Sequence, residues 1–226
     1  MSKQFWAVII VVILALIGIF TFTGKKSTGT NNPSSASGQP TTHIIGQGTT
    51  GVTLVEYGDY QCPACGQYYP VVKAVQAKYG DAIKFQFRNF PLVSSHQNAF
   101  AAARAAEAAS LQGKFWEMHD ALYQSQAQWS SSSSASQIFV QYASQLKLNV
   151  AQFRQDYASI KVNDAINADS AAGTKANVQG TPSYYLDGKY VQVANTPEAF
   201  EKVIDAEIAQ KAKATPAVAP ATKPAN

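Results

Sequence analysis

Cys62 and Cys65 are the residues best placed to do chemistry, in the run Tyr60-Gln-Cys62-Pro63-Ala64-Cys65-Gly66. They fall where a buried strand runs into a helix. Helix positions i and i+3 share a face, so the two sulfurs come within disulfide reach. Cys62 takes the N-cap, where unpaired N–H groups and the positive end of the helix dipole favour a thiolate. Pro63 suits the first helical position, with its φ preset and no donor to leave idle. Cys65, one turn further in, is expected to be more buried and to ionise later. The pair reads as an exposed nucleophile and a resolving thiol, joined as a Cys62–Cys65 disulfide when oxidised.

Other uses of two cysteines fit less well. A zinc half-site needs further ligands, and His43, His96 and His119 stand at no paired spacing. A structural disulfide between residues so close in sequence closes almost no loop. Two inert thiols would leave the strand–CPAC–helix context unexplained. No metal and no other cofactor is expected.

Two further features bear on the pair. Glu56 shares a strand face with Val52 and Leu54, six residues before Cys62. A carboxylate buried there is costly and its pKa rises, which suits a proton donor and acceptor for Cys65. The alternative is a Glu56 partly exposed at the sheet end. Gly180-Thr181-Pro182 leads into Ser183-Tyr184-Tyr185-Leu186, and a proline entering a strand marks an edge or a cis bond. A cis bond beside the cysteines would leave the Thr181 backbone free to pair with an extended substrate.

The elements that must position these residues can be read off the pattern. Residues 52–57 form a strand buried on both faces, and a helix follows from Cys62 or Pro63 to about Tyr79, capped by Gly80. Ile83, Phe85 and Phe87 alternate with Lys84, Gln86 and Arg88, a half-buried strand. Residues 95–176 are mostly helical, divided by the serine run 130–134. Asp187-Gly188 signals a two-residue hairpin, and Thr196-Pro197 opens a last helix. Strands flanking a helix, then a closing hairpin, predict a mixed α/β sheet with a helical insertion over about 94–176.

Around this unit the composition changes. Residues 5–22 carry no charge and, at about 1.5 Å per residue, span roughly 27 Å. Their exit through Thr21-Phe22-Thr23-Gly24 is a poor cleavage site, so residues 1–24 read as an uncleaved membrane anchor. Residues 25–42 read as a flexible linker, 43–212 as the folded domain and 213–226 as a disordered tail. The formal charge of +4 loses five lysines once anchor, linker and tail are set aside (+4 − 5), leaving the domain at −1. That excludes a nucleic-acid reader, which needs a basic face on the domain itself. Charged residues make up only 14% of the 226, too few for a polyelectrolyte chain, and no repeat recurs.

The sequence resembles the DsbA-like thiol–disulfide oxidoreductases of the thioredoxin superfamily, in their membrane-anchored or secreted bacterial branch. The resemblance lies in Val55 through Cys65, in Arg88-Asn-Phe-Pro-Leu92, in Phe115 through Tyr123 and in Val178-Gln-Gly-Thr-Pro-Ser183. It covers about 51–209. It implies a thioredoxin fold with a helical insertion, Glu56 as the family's buried acid and Thr181-Pro182 as its cis-proline loop. It also implies that His119 and the Ala-rich helix are scaffold. Strongly oxidising members often carry histidine before the second cysteine, where this chain has Ala64.

The expected activity is thiol–disulfide exchange that introduces disulfides into reduced or unfolded extracytoplasmic proteins. The family implies a membrane redox partner that recycles the pair. Lysines flank the apolar run on both sides, so charge leaves orientation nearly tied, and the chemistry places the domain outside the cytoplasm. A reductase or isomerase, and a redox-inactive peptide-binding module, are the rival expectations.

Overall fold

The computed structural model describes residues 38–214. The anchor, the linker up to residue 37 and the tail beyond Ala214 lie outside the described residues. Among those described, no helix is long and apolar enough to cross a membrane.

The strands are β1 (His43–Ile45), β2 (Val52–Gly58), β3 (Ile83–Asn89), β4 (Ser183–Leu186) and β5 (Lys189–Val191). They form one sheet in the order β1-β3-β2-β4-β5. β2 and β3 run parallel, with Leu54 opposite Phe85 and Glu56 opposite Phe87. The other neighbours are antiparallel, so the sheet is mixed as expected. β1 carries no strong signal of its own and is recruited by pairing with β3.

Helix α1 (Pro63–Tyr79) crosses from β2 to β3. Cys62 caps it in an extended conformation, Pro63 opens it, and Gly80 ends it at φ 47, where a side chain would be strained. Cys65, Val72, Val75 and Tyr79 form its buried stripe. Pro70 sits inside α1 and removes the N–H that would meet the Gly66 carbonyl.

Between β3 and β4 lie α2 (Ala99–Ser110), α3 (Phe115–Gln124), α4 (Gln126–Trp129), α5 (Ala135–Gln145), α6 (Val150–Tyr157) and α7 (Ile160–Lys175). Alanines let α2 be buried on most of its surface. Trp129 is fully enclosed, and its indole N–H donates to the Leu122 carbonyl at 2.9 Å. Asp187 at φ 48 and Gly188 at φ 82 make the hairpin turn between β4 and β5. Helix α8 (Pro197–Ala214) starts with the Thr196 hydroxyl accepting the Ala199 N–H, and buries Phe200 and Ile204.

Three boundary readings change. Helix α8 continues past residue 212 to Ala214, with Lys211 and Lys213 well placed at the negative end of its dipole. The linker's end is not free: Thr41 donates through its N–H and hydroxyl to the two oxygens of Asp169, both at 2.7 Å. β3 is buried on more than one face, because the Gln86 amide donates to the Thr41 carbonyl at 2.8 Å.

Candidate active site

β2 and α1 bring the cysteines to the end of the sheet. The Asp59 carbonyl accepts the Cys62 N–H at 3.1 Å, which turns the chain from strand to helix, and the Cys62 carbonyl accepts the Gly66 N–H at 3.1 Å. Both sulfurs are free thiols. The loop at the Thr181–Pro182 cis bond, which leads into β4 beside β2, packs against Cys62.

Cys62 is only 7% exposed, where an exposed nucleophile was expected. The Thr181 loop covers it, and its thiol donates to the Thr181 carbonyl at 3.3 Å. Its pKa is held down to about 5. The Cys65 thiol donating to the Cys62 sulfur is the largest cause; burial works against it, and the Thr181 hydroxyl and the N–H groups of Cys65 and Ala64 add to the lowering. These donors stabilise the thiolate without a histidine at position 64.

Cys65 is fully buried, and that burial pushes its thiol well above the ordinary range. Its hydrogen bond to Cys62 and the negative charge of Glu56 push the same way. Glu56 is 4% exposed, so the exposed alternative falls away. Burial raises its pKa to about 8; the Tyr184 hydroxyl opposes the rise and the Cys62 charge adds to it. Tyr184 stands opposite Glu56 on β4, with its hydroxyl in no hydrogen bond of standard geometry.

His119 is a core residue. It is buried among Phe87, Tyr60 and Tyr123, with its ring centroid 4.9 Å from that of Phe87, and burial lowers its pKa.

The side chains that hold the motif in place were missed by the sequence reading. Gln126, at the start of α4, donates to the carbonyls of Tyr60 at 2.7 Å and Cys62 at 2.9 Å. Gln61 donates to the Ser130 carbonyl at 2.7 Å and accepts the Asn98 N–H at 2.6 Å. Asp59 accepts the N–H of Gln61 at 2.8 Å. These contacts clamp the motif against the helical insertion, and only the abundance of polar residues near it hinted at them.

The thioredoxin family's sequence profile matches residues 38–206. Na(+)/H(+) antiporter NhaA 1 of Mycolicibacterium gilvum is 36% identical over 151 residues, covering 65% of this chain and 23% of the antiporter. The chain thus spans about a quarter of the length of the antiporter relatives it matches. The probable disulfide bond formation protein D of Bacillus anthracis is 29% identical over 207 residues, covering 88% of this chain and 92% of that protein. The crystal structure of oxidised BdbD from Bacillus subtilis shares the fold, with a TM-score of 0.66 at 24% identity over 76% of this chain and 97% of BdbD. By its sequence profile the chain belongs to the thioredoxin family, and it shares its fold with BdbD.

Proposed function

We propose that the protein introduces disulfide bonds into reduced or unfolded extracytoplasmic proteins through a redox-active Cys62–Cys65 pair. The observation that supports this best is the split between the two thiols, one held down to about 5 and the other pushed up. A stabilised Cys62 thiolate favours the reduced form, which makes the disulfide form the stronger oxidant.

In the forward direction a substrate thiolate attacks the Cys62 sulfur of the disulfide. The Cys62–Cys65 bond breaks and its electron pair leaves on Cys65. Glu56, with its pKa near 8, holds a proton at neutral pH and gives it to the Cys65 thiolate. A second substrate thiolate then attacks the substrate sulfur of the mixed disulfide, and Cys62 leaves as a thiolate. Pro63 and Ala64 shape the motif between the cysteines. Thr181 and Pro182 are the substrate-facing loop, with the Thr181 backbone pairing to an extended chain.

The apolar run at 5–22 supports a single-pass anchor in the cell membrane with the domain outside the cytoplasm. There a membrane redox partner would reoxidise the pair. Ala64, in place of histidine, favours a second reading as reductase or isomerase. Equilibrating the protein with glutathione separates the two. A potential near that of DsbA, about −120 mV, is expected, and one near thioredoxin's, about −270 mV, would overturn the oxidase direction. Cys62→Ser should abolish turnover of reduced substrate; retained turnover would exclude the redox role.

A further inference from the structure

One side chain of the helical insertion touches the nucleophile's own backbone. The Cys62 carbonyl accepts two donors, the Gly66 N–H at 3.1 Å and the Gln126 side-chain amide at 2.9 Å. The same amide donates to the Tyr60 carbonyl at 2.7 Å, which matches its two hydrogens to two acceptors. Gln126 is itself held in place. Trp129, fully enclosed, anchors the short helix α4 that carries it. Its amide oxygen lies where a side chain at position 66 would begin, 2.6 Å from a Cβ on Gly66.

Upstream, the turn is fixed by Asp59, which accepts the Gln61 N–H at 2.8 Å and lies 2.6 Å from His96 Nδ1. The Cys62–Pro63 peptide has no N–H to anchor it, so its orientation is set from the carbonyl side. Cys62 is extended, at φ −65 and ψ 122, and the next residue opens α1. The angle ψ is the rotation between a residue's carbonyl and the rest of that residue. Holding the Cys62 carbonyl therefore fixes where its Cα and sulfur stand relative to the first turn of α1. The N–H groups of Ala64 and Cys65 in that turn are among the donors that favour the thiolate. Gln126 is not itself among them, so it acts through aim rather than contact.

We propose that Gln126 is a positioning residue that aims the Cys62 sulfur at the first turn of α1 and so makes the Cys62–Cys65 disulfide more oxidising. The inference rests on the redox reading above. When glutathione reduces the pair, two glutathione thiols supply two electrons and become glutathione disulfide. One of their protons ends on Cys65, the other goes to water, and Cys62 stays a thiolate at pH 7. Whatever steadies that thiolate draws the equilibrium toward the reduced form. The insertion thus tunes a pair that has Ala64, not histidine, before its second cysteine.

The test uses the full-length protein and two variants that disturb the amide in different ways. Gln126→Met keeps the volume and removes the donor. Gly66→Ala leaves Gln126 intact but takes the space of its oxygen, and the free end of a long side chain can yield. Each variant is equilibrated with glutathione, and its Cys62 thiolate is titrated by ultraviolet absorbance. Both should lower the equilibrium constant for reduction about tenfold, a fall in potential of about 30 mV, and raise the thiolate midpoint. The melting temperature of the reduced form should fall more than that of the oxidised form. If Gln126→Met does not fold, Gly66→Ala alone decides. Equal losses of stability in both redox forms, with potential and midpoint unmoved, would mean that Gln126 only fastens the insertion, and would overturn the proposal. Failure of the wild-type disulfide to exchange with glutathione at all would instead overturn the redox reading itself.

Discussion

Thr181 meets Cys62 with two different atoms. Its carbonyl accepts the Cys62 thiol at 3.3 Å, while its buried hydroxyl, in no hydrogen bond of standard geometry among the described residues, favours the thiolate. The same residue thus serves both protonation states of the nucleophile. Thr181→Val keeps the shape and the carbonyl but removes the hydroxyl. One lost hydrogen bond to a charged group corresponds to a rise in the Cys62 pKa of about one unit. Ultraviolet titration of the thiolate measures it, and an unmoved midpoint would remove Thr181 from the account.

Cys65 should matter more, because its thiol is the leading cause of the low Cys62 pKa. Cys65→Ala is expected to raise that pKa further than Thr181→Val does. The same titration ranks the two, and the reverse order would show that the backbone and Thr181, not Cys65, hold the thiolate.

The Cys62 pKa also links redox state to stability. Unfolded, the thiol ionises near 9; folded and reduced, near 5. Between these values the unfolded chain binds the extra proton, so the stability of the reduced form rises with pH and is lost as pH falls through about 5. The disulfide form has no such group. The melting temperature of the reduced protein, relative to the oxidised one, should therefore climb from pH 4 to pH 8. A pH-independent difference would contradict the depressed pKa.

Glu56 has the opposite sign. Its folded pKa of about 8 lies above the unfolded value of 4.5, so the folded state holds the extra proton and stability declines as pH rises between them. Glu56→Gln removes that decline, and should stabilise the fold at pH 7 by on the order of 2 kcal/mol. It should also slow mixed-disulfide turnover about tenfold while leaving the Cys62 pKa little changed. Unchanged turnover together with the gain in stability would reduce Glu56 to a buried acid without a catalytic task.

How far the sequence carried depended on how local each signal was. The cysteine pair, the strand feeding it, the Asp187-Gly188 turn and the Thr196-Pro197 helix start are all legible, because each rests on neighbours a few residues apart. Gln126, Asp59 and Gln61 are not legible, since their roles depend on partners 64, 37 and 69 residues away. Gln86 misled for the same reason. Alternation sends it to solvent, yet a distant carbonyl at Thr41 gives its amide a buried partner. The exposure of Cys62 was overestimated because a loop 119 residues away closes over it.

That distant polar pairing is sharpest at Asp169. Its buried carboxylate accepts the Thr41 N–H and hydroxyl at 2.7 Å, and the Asn89 N–H and side-chain amide at 2.9 and 3.2 Å. Asn89 also donates to Glu107 at 2.7 Å, and His43 Nε2 lies 2.8 Å from the same Glu107 oxygen. One carboxylate on α7 thus ties the segment before β1 to the end of β3. Asp169→Ala leaves two backbone N–H groups without their acceptor in the interior, at a cost of about 3 kcal/mol. At about 2–4 °C per kcal/mol, the melting temperature should fall by roughly 6–12 °C. Thr41→Val removes a single donor and should cost only about 1 kcal/mol. Limited proteolysis should cut Asp169→Ala near residues 38–42 well before the wild type. Equal cleavage would mean that β1 pairing alone, without the Asp169 contacts, holds that segment on the fold.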